Sequence, residues 1–217
     1  LGVCLEFKAS NERLAEEIDW KACVRLLLEA GAKPDVEGAT PALVALYSER
    51  QVLNSDVAEI AELLVKLGAN PNARLEKPGI GKGRTSLHFA ARWEPEEFGV
   101  VVLHKLGAEI DARDDEKYTP LLCAAEHGAY GCFTYLLDHG ADKSAMTIER
   151  QNALHLGAVN GQTSIVRECC ELGFDMGAKT KDGDTAMDLA RNTDEYDVVA
   201  ILRDPPSPRK AAPSSKG

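Results

Sequence analysis

Residues 119–142 read TPLLCAAEHGAYGCFTYLLDHGAD, two short apolar segments that are each followed by a glycine, Gly128 and Gly140. Thr119 and Pro120 are typical of a helix start, because threonine can cap the first free N–H groups and proline is tolerated in the first turn. The second apolar segment has helical spacing. Gly140 is suited to the left-handed position that often ends a helix. The stretch therefore predicts two short helices joined by a glycine turn.

The same pattern recurs along the chain with a period near 33 residues. A Gly-Ala pair follows an apolar run at four places, and Gly173-Phe174 holds the same place in a fifth. A second landmark, a Thr or Asn before a short apolar helix, recurs in steps of 34, 33 and 33 from Thr85 onward. Two independent landmarks with one period predict a repeat array in which each unit packs on its neighbours. The pairs begin at Gly31, Gly68, Gly107 and Gly140, and the second landmark begins at Thr40, Thr85, Thr119, Asn152 and Thr185.

On these motifs the chain resembles an ankyrin-repeat protein over roughly residues 20–203. The matching stretches are TSLHFAA at 85–91, TPLLCAA at 119–125, NALHLGA at 152–158 and LLDHGAD at 136–142. The resemblance implies an all-α ankyrin-repeat solenoid of stacked helix-turn-helix units with β-hairpin fingers. It also implies that His88 and His155 hydrogen-bond the backbone of a neighbouring unit from inside the core.

We expect one ankyrin-repeat domain over residues 1–204, followed by a disordered tail rich in Pro, Ser and basic residues over 205–217. Extra residues between the helices near 48–56, and in the finger at 74–84, distort the first half. The chain begins at Leu1 inside an apolar pattern, so we expect it to be cut from a longer protein. The predicted units are 1–37, 38–82, 83–112, 113–146, 147–179 and a C-terminal cap at 180–204.

Charge and motif content exclude several classes of function. The net charge is −10, and the tail contributes +3, which leaves −13 on the body. A body this acidic repels a phosphate backbone, so we expect no nucleic-acid partner. No run approaches the roughly 18 apolar residues of a membrane span. The six cysteines include no CxxC pair, which favours reduced core thiols in a cytoplasmic or nuclear protein and gives no support for a metal site.

No catalytic or cofactor-binding motif can be assembled from the sequence. There is no HExxH motif, and no Ser-His-Asp or Cys-His arrangement stands out. The glycines at 79–83 lack the spacing of a phosphate-binding loop. We therefore expect a protein that is not an enzyme and has no catalytic, cofactor-binding or metal-binding residues.

The finger at residues 74–84 carries an excess of positive charge on an acidic chain. Arg74, Lys77, Lys82 and Arg84 stand against one acid, Glu76. One interpretation is a basic docking finger for an acidic partner, because long finger insertions lie on the binding face of solenoids. The other is internal, since the next finger carries Asp111, Asp114, Asp115 and Glu116. Residue patterns alone leave both open.

The resemblance implies partner binding through the fingers and the inner helices. Trp93 is the strongest single candidate. The equivalent positions of the later repeats, called sister positions here, hold His127, Asn160 and Thr193. These residues are polar, which indicates that the position faces solvent. An exposed Trp is unusual, and Trp is enriched among binding hot spots. Tyr118 has similar standing on the next finger. The candidate partner-binding residues are Arg84, Arg92, Trp93, Asp114, Asp115, Glu116, Tyr118, Glu126, His127, Gln151 and Asn160.

Two residues are candidates for covalent modification. Asn72 resembles the finger asparagine that is hydroxylated in some ankyrin-repeat proteins, with a leucine eight residues earlier. Ser207 precedes Pro208 and two basic residues, a pattern that resembles a proline-directed kinase site.

The sequence therefore predicts a protein–protein interaction module, a scaffold or adaptor, that binds a protein partner as a monomer. The alternative is a regulatory or autoinhibitory ankyrin segment of a larger enzyme or channel, in which the array binds its own chain.

Overall fold

The computed structural model describes residues 22, 26, 30–35, 41–47, 55–76, 81–92 and 98–208. The helices within these ranges follow one another as pairs. The first helices of the pairs are α1 (Ala42–Tyr47), α3 (Ser86–Ala90), α5 (Pro120–His127), α7 (Ala153–Val159) and α9 (Ala186–Asn192). The second helices are α2 (Ser55–Lys66), α4 (Phe98–Lys105), α6 (Tyr130–Asp138), α8 (Thr163–Glu171) and α10 (Tyr196–Arg203).

Helices of the same kind stack on one another along the chain. The first helices form one continuous row from α1 to α9, in which each contacts the next. Each first helix also packs against the second helix of its own pair. This neighbour-to-neighbour arrangement confirms the predicted all-α repeat solenoid. The last helix, α10, spans Tyr196–Arg203 and lies within the predicted C-terminal cap.

Polar cap residues mark the starts of three of the short first helices, and a glycine marks the end of α5. Thr119 is extended and its hydroxyl accepts from Leu122 N, with Pro120 at the first helical position. The helix ends at Gly128, whose φ of 74° lies in the left-handed region that glycine adopts without strain. Asn152 caps α7 and Thr185 caps α9 in the same way.

One continuous core runs through the stack between the two rows of helices. Its first-helix side is made of small and medium side chains, including Ala90, Ala91, Ala124 and Ala125, each almost fully buried. Small residues let adjacent first helices approach closely.

The described cysteines belong to this core. Cys123, Cys132, Cys169 and Cys170 are free and buried, and burial raises the pKa of the Cys123 thiol to about 12. Burial also raises the pKa of Cys169 and Cys170. These three thiols therefore remain protonated, and all four cysteines pack as small apolar groups.

The predicted β-hairpin form of the fingers finds no support in the described residues, which contain no β-strand. The regular fingers are five-residue turns, Asp114–Tyr118, Thr147–Gln151 and Thr180–Asp184, each closed by one bond from the first residue's N–H to the last residue's carbonyl. Among the described residues, those that flank these turns, such as Arg113 and Thr119, form no backbone hydrogen bond with each other, so strand pairing does not continue beyond the turn. The predicted β-hairpin geometry is therefore not confirmed.

The landmark histidines lie where the resemblance places them. His88 is fully buried, and its Nδ1 accepts from Thr85 N at 3.1 Å. Its Nε2 therefore carries the proton and donates to the Tyr118 carbonyl in the next unit at 3.0 Å. His155 Nε2 bonds the Ala178 carbonyl at 3.0 Å, in the segment that leads into the next finger turn. Each imidazole thus joins its own helix start to the next finger.

Several expectations concern residues beyond these helices. The interval near 48–54 and the residues of the tail from 209 onward lie outside the described residues, while 205–208 have no regular secondary structure. The unit boundaries and the disorder of the tail stay predictions. None of the helices in the described ranges is long and apolar enough to cross a membrane.

Stability should fall with acid in the window set by His88. Burial lowers its pKa from 6.5 to about 4, so the unfolded chain binds more protons between these pH values. The contribution is complete above pH 6.5 and is lost as the pH falls to about 4, a change of about 3 kcal/mol. Urea unfolding at pH 4 to 7 measures it. In His88→Leu, the residue type of the sister position Leu122, the pH slope should shrink, whereas His139→Gln at an exposed site should keep it. Equal slopes in wild type and His88→Leu would contradict the assignment.

Candidate partner-binding surface

Neighbouring fingers are joined tip to tip by backbone hydrogen bonds. Asp115 N donates to the Lys82 carbonyl at 3.1 Å, and Ile148 N donates to the Glu116 carbonyl at 3.0 Å. Lys181 N donates to the Glu149 carbonyl at 2.9 Å. The three donors are spaced by one repeat, so the finger tips form a regular row along one side of the stack.

The first of these junctions also contains a buried ion pair. Arg84 Nε donates to Asp114 Oδ2 at 3.0 Å, and the two side chains are 6% and 1% exposed. The other carboxylate oxygen of Asp114 accepts from Glu116 N at 2.9 Å and from Tyr118 N at 2.8 Å. Asp114 therefore closes its own turn and holds the preceding finger. Neither charged group of this pair is accessible to a partner.

Tyr118 connects this pair to the first-helix row. The Arg84 guanidinium carbon lies 5.2 Å from the centre of the Tyr118 ring, a cation–π distance. The Tyr118 hydroxyl donates to Glu126 Oε1 at 3.3 Å. Tyr118 is half-buried, and burial followed by the Glu126 charge raises its pKa well above the usual range. The phenol is therefore neutral and fixed in place.

A second, exposed set of ion pairs lies at the same junction. Arg74 Nη2 lies 2.8 Å from Asp115 Oδ1, and Lys82 Nζ lies 3.4 Å from Asp115 Oδ2. Arg74 Nη1 also donates to the Arg113 carbonyl at 2.9 Å. Three of the basic finger's charges, on Arg74, Lys82 and Arg84, thus face the acidic finger beside them. Of the two interpretations of the basic finger, these contacts correspond to the internal one, pairing with the adjacent acidic finger. Lys77 lies outside the described residues.

Arg92 and His127 form a cross-unit contact at the ends of the first helices. His127 Nδ1 donates to the Cys123 carbonyl at 3.0 Å, so its Nε2 is free to accept from Arg92 Nε at 3.1 Å. Burial, together with the charge of Arg92, lowers the pKa of His127. Its 3.5 Å contact with Glu126 Oε2 is therefore not a salt bridge near neutral pH.

The remaining candidates form the more accessible part of the surface. Asn160 is exposed at the end of α7, and its amide donates to the Leu156 carbonyl at 2.9 Å. Gln151 is half-buried at the end of a finger turn, and Glu116 is exposed at a finger tip. Trp93, the strongest candidate by sequence, lies outside the described residues. We call Glu126, His127, Gln151 and Asn160 the inner surface.

Asn72 has a structural role that the sequence did not indicate. Its Oδ1 accepts from Glu109 N at 2.8 Å and its Nδ2 donates to the Gly107 carbonyl at 3.1 Å. The side chain thus links one unit to the turn of the next. Its hydroxylation stays a prediction, as does modification of Ser207, which is exposed after the last helix.

Sequence reasoning did not single out Ile148. Its side chain is 45% exposed, and its backbone N–H makes one of the tip-to-tip bonds. The available signal was one apolar residue inside the otherwise polar turn Thr147–Gln151. An apolar side chain on a finger tip next to Glu116 and Glu149 adds to the accessible surface.

Comparison with known proteins agrees with this architecture. A family model described as ankyrin repeats (3 copies) matches residues 51–147. Cyclin-dependent kinase inhibitor 2A of Homo sapiens is 34% identical over 145 residues, which cover 59% of this chain and 81% of that protein. The chain belongs to the ankyrin-repeat family. Ankyrin repeats are generally protein–protein interaction modules.

Other relatives are longer than this chain. The B-cell lymphoma 3 protein homolog of Mus musculus is 30% identical over 180 residues, 81% of this chain and 38% of that protein. The E3 ubiquitin-protein ligase KEG of Arabidopsis thaliana is 32% identical over 117 residues, 54% of this chain and 7% of that protein. The chain therefore spans about two fifths of the first relative and a small part of the second.

Loss of the buried acid should cost far more stability than loss of its exposed neighbour. Asp114→Thr introduces the residue type found at the sister positions Thr147 and Thr180, which keeps a capping oxygen and leaves the Arg84 charge buried. We expect a loss of about 3 to 5 kcal/mol in the free energy of unfolding. The matched control Asp115→Asn, at a half-exposed ion pair, should cost about 0 to 1 kcal/mol. Equal losses in urea unfolding would show that burial of the Arg84–Asp114 pair is not what distinguishes them.

Proposed function

We propose that this ankyrin-repeat chain binds a protein partner through the inner surface and the finger tips beside it. The observation that carries the proposal is that side chains of Glu126, His127 and Asn160 line one side of successive first helices without contributing to the core. The first helices beneath them are stacked and capped, which fixes the spacing of these groups. A rigid row of polar groups beside exposed finger tips suits recognition of an extended or folded protein surface.

The partner's chemistry follows from charge. The net charge of the chain is −10, and Glu116, Glu126 and Glu149 all lie on or beside the proposed surface. The basic charges of Arg74, Lys82 and Arg84 face neighbouring acids and are less available to a partner. We therefore propose a partner that presents a basic or neutral polar surface, not an acidic one, and not a nucleic acid.

The chain acts as a scaffold or adaptor in the cytoplasm or nucleus and works as a monomer, without enzymatic activity of its own. Arg84 and Asp114 act from beneath the surface by holding the first finger junction, whereas Arg92, Asp115, Glu116, Tyr118 and the inner surface provide the contact. We also propose that Trp93 takes part in the contact.

A second function is supported by the relatives. In the E3 ubiquitin-protein ligase KEG, the matched stretch is 7% of the protein, so ankyrin repeats there accompany other parts. This chain would then act as a regulatory or autoinhibitory segment whose partner is another part of its own polypeptide.

Partner capture with a matched pair of variants tests the inner surface. Asn160→Arg replaces an exposed polar residue of the inner surface, and Ser164→Arg replaces one on α8. The proteins retained by the immobilised wild-type chain, identified by mass spectrometry, should be reduced at least about fivefold by Asn160→Arg, since an introduced charge in a contact costs about 1 kcal/mol or more. They should be unchanged by Ser164→Arg. Equal retention by wild type and Asn160→Arg, with circular dichroism unchanged, would reject the inner surface as the contact.

A further inference from the structure

His104 and His139 lie side by side at the ends of two neighbouring second helices. His104 is in the last turn of α4, and His139 directly follows α6. Their ring centroids are 5.3 Å apart, and the rings are nearly perpendicular, at 82°. His139 is exposed and His104 is half-buried, so both imidazoles border solvent. We call these two residues the outer histidine pair.

Tyr135 contacts the same ring nitrogen, Nδ1, of both histidines. His139 Nδ1 donates to the Tyr135 carbonyl at 2.8 Å, so the lone pair of the neutral ring is on Nε2. His104 Nδ1 lies 3.1 Å from the Tyr135 hydroxyl oxygen. Since a hydroxyl accepts as well as donates, this contact allows the same tautomer in His104. Neither Nε2 atom makes a hydrogen bond within the part of the chain that the structure describes.

The contacts of His139 are those of a histidine that is oriented for ligation. Metal-bound histidines commonly donate from their other ring nitrogen to a backbone carbonyl, which fixes the tautomer and makes the ligating nitrogen more basic. The Tyr135 ring also stacks on His139, with centroids 3.9 Å apart and 24° between the planes. Two contacts thus hold an exposed side chain in place, which reduces the conformational entropy lost when an ion binds.

The separation of the two rings fits a pair of ligands on one tetrahedral ion. Zinc binds imidazole nitrogen at about 2.0–2.1 Å and prefers tetrahedral coordination. Two imidazoles on such an ion have ring centroids about 5 Å apart, close to the 5.3 Å between His104 and His139. Both histidines also lie at the carboxyl ends of their helices, where the helix dipole favours a cation.

The repeat fold does not require histidine at either position. At the next junction along the stack, the residues equivalent to His104 and His139 are Leu137 and Leu172. Both leucines are half-buried and pack against the core. Sequence spacing did not reveal the histidine pair, because the two residues are 35 positions apart.

We propose that the outer histidine pair binds a divalent transition-metal ion, with zinc as the best fit, through Nε2 of both residues. Imidazole suits zinc, whereas magnesium and calcium prefer oxygen ligands. Among the described residues, no group of three or more His, Cys, Asp or Glu side chains is placed to hold a metal. Water therefore completes the coordination. The net charge of −10 favours the approach of a cation, and the proposal does not depend on the protein-binding role.

A zinc titration of the full chain tests the pair. In long-range proton–nitrogen NMR spectra, which observe imidazole nitrogens, zinc should shift Nε2 of His104 and His139 together, and magnesium should shift neither. His104→Leu and His139→Leu introduce the residue types of Leu137 and Leu172, so the fold should be kept. Each variant leaves one imidazole and should weaken zinc binding in calorimetry at least about tenfold, the ratio that corresponds to about 1.4 kcal/mol.

The matched control is Asp182→Asn, which removes one exposed carboxylate from the finger turn Thr180–Asp184. It should leave zinc binding unchanged. Equal zinc affinity in wild type and either leucine variant would overturn the proposal. A zinc-induced shift in only one of the two imidazoles would also overturn it, because it indicates adventitious binding at a single histidine. The shifts are measured on the wild-type chain, so they decide the question even if a leucine variant unfolds.

Discussion

The hydrogen bonds between neighbouring finger tips set the register on which this protein depends. A pair of helices as short as α3 and α4 or α5 and α6 exposes an apolar face that only the next pair can cover. The packing surface is made largely of alanine and leucine, which specify position weakly because such side chains are alike along a helix. The bonds from Asp115, Ile148 and Lys181 to the preceding finger tip are directional and recur once per unit. These bonds fix the position of each unit relative to its neighbour. The hydrogen bonds of the buried His88 and His155 impose the same constraint closer to the core.

Sequence landmarks predict the helices well because the landmark residues are the ones that cap the helix ends. Thr119, Asn152 and Thr185 cap helices in the structure, and Gly128 ends one in the left-handed conformation. The positions of α5 to α10 follow from these signals and from a regular period. The finger geometry could not be predicted as well. A resemblance carries the average shape of a family, whereas only the structure shows that backbone pairing in the third finger stops at the bond between Asp114 and Tyr118.

At the candidate site, charge counting along the sequence predicts which residues come together but not which of them are buried. Counting charges identified Arg74, Lys82, Arg84 and the acids of the next finger as one group, and the structure brings them together. Counting could not separate Asp114, which is buried, from Asp115, which is half-exposed, because the two are adjacent and chemically identical. The equivalent positions of the later repeats distinguish the two residues. Thr147 and Thr180 are equivalent to Asp114 and are also buried. Ile148 and Lys181 are equivalent to Asp115. A turn-capping role predicts a small polar residue at the first place and allows any residue at the second.

Ion pairing within the stack also constrains where a partner can bind. Arg74 and Lys82 form ion pairs with Asp115 between the second and third fingers. These ion pairs must break before the charges can bind a partner, and breaking them costs part of the binding free energy. Further along, the tip-to-tip junctions rely on backbone bonds, with one long contact between Lys181 and Glu149 at 3.5 Å. Side chains such as Ile148 and Asn160 therefore offer contact at lower cost than the basic finger does.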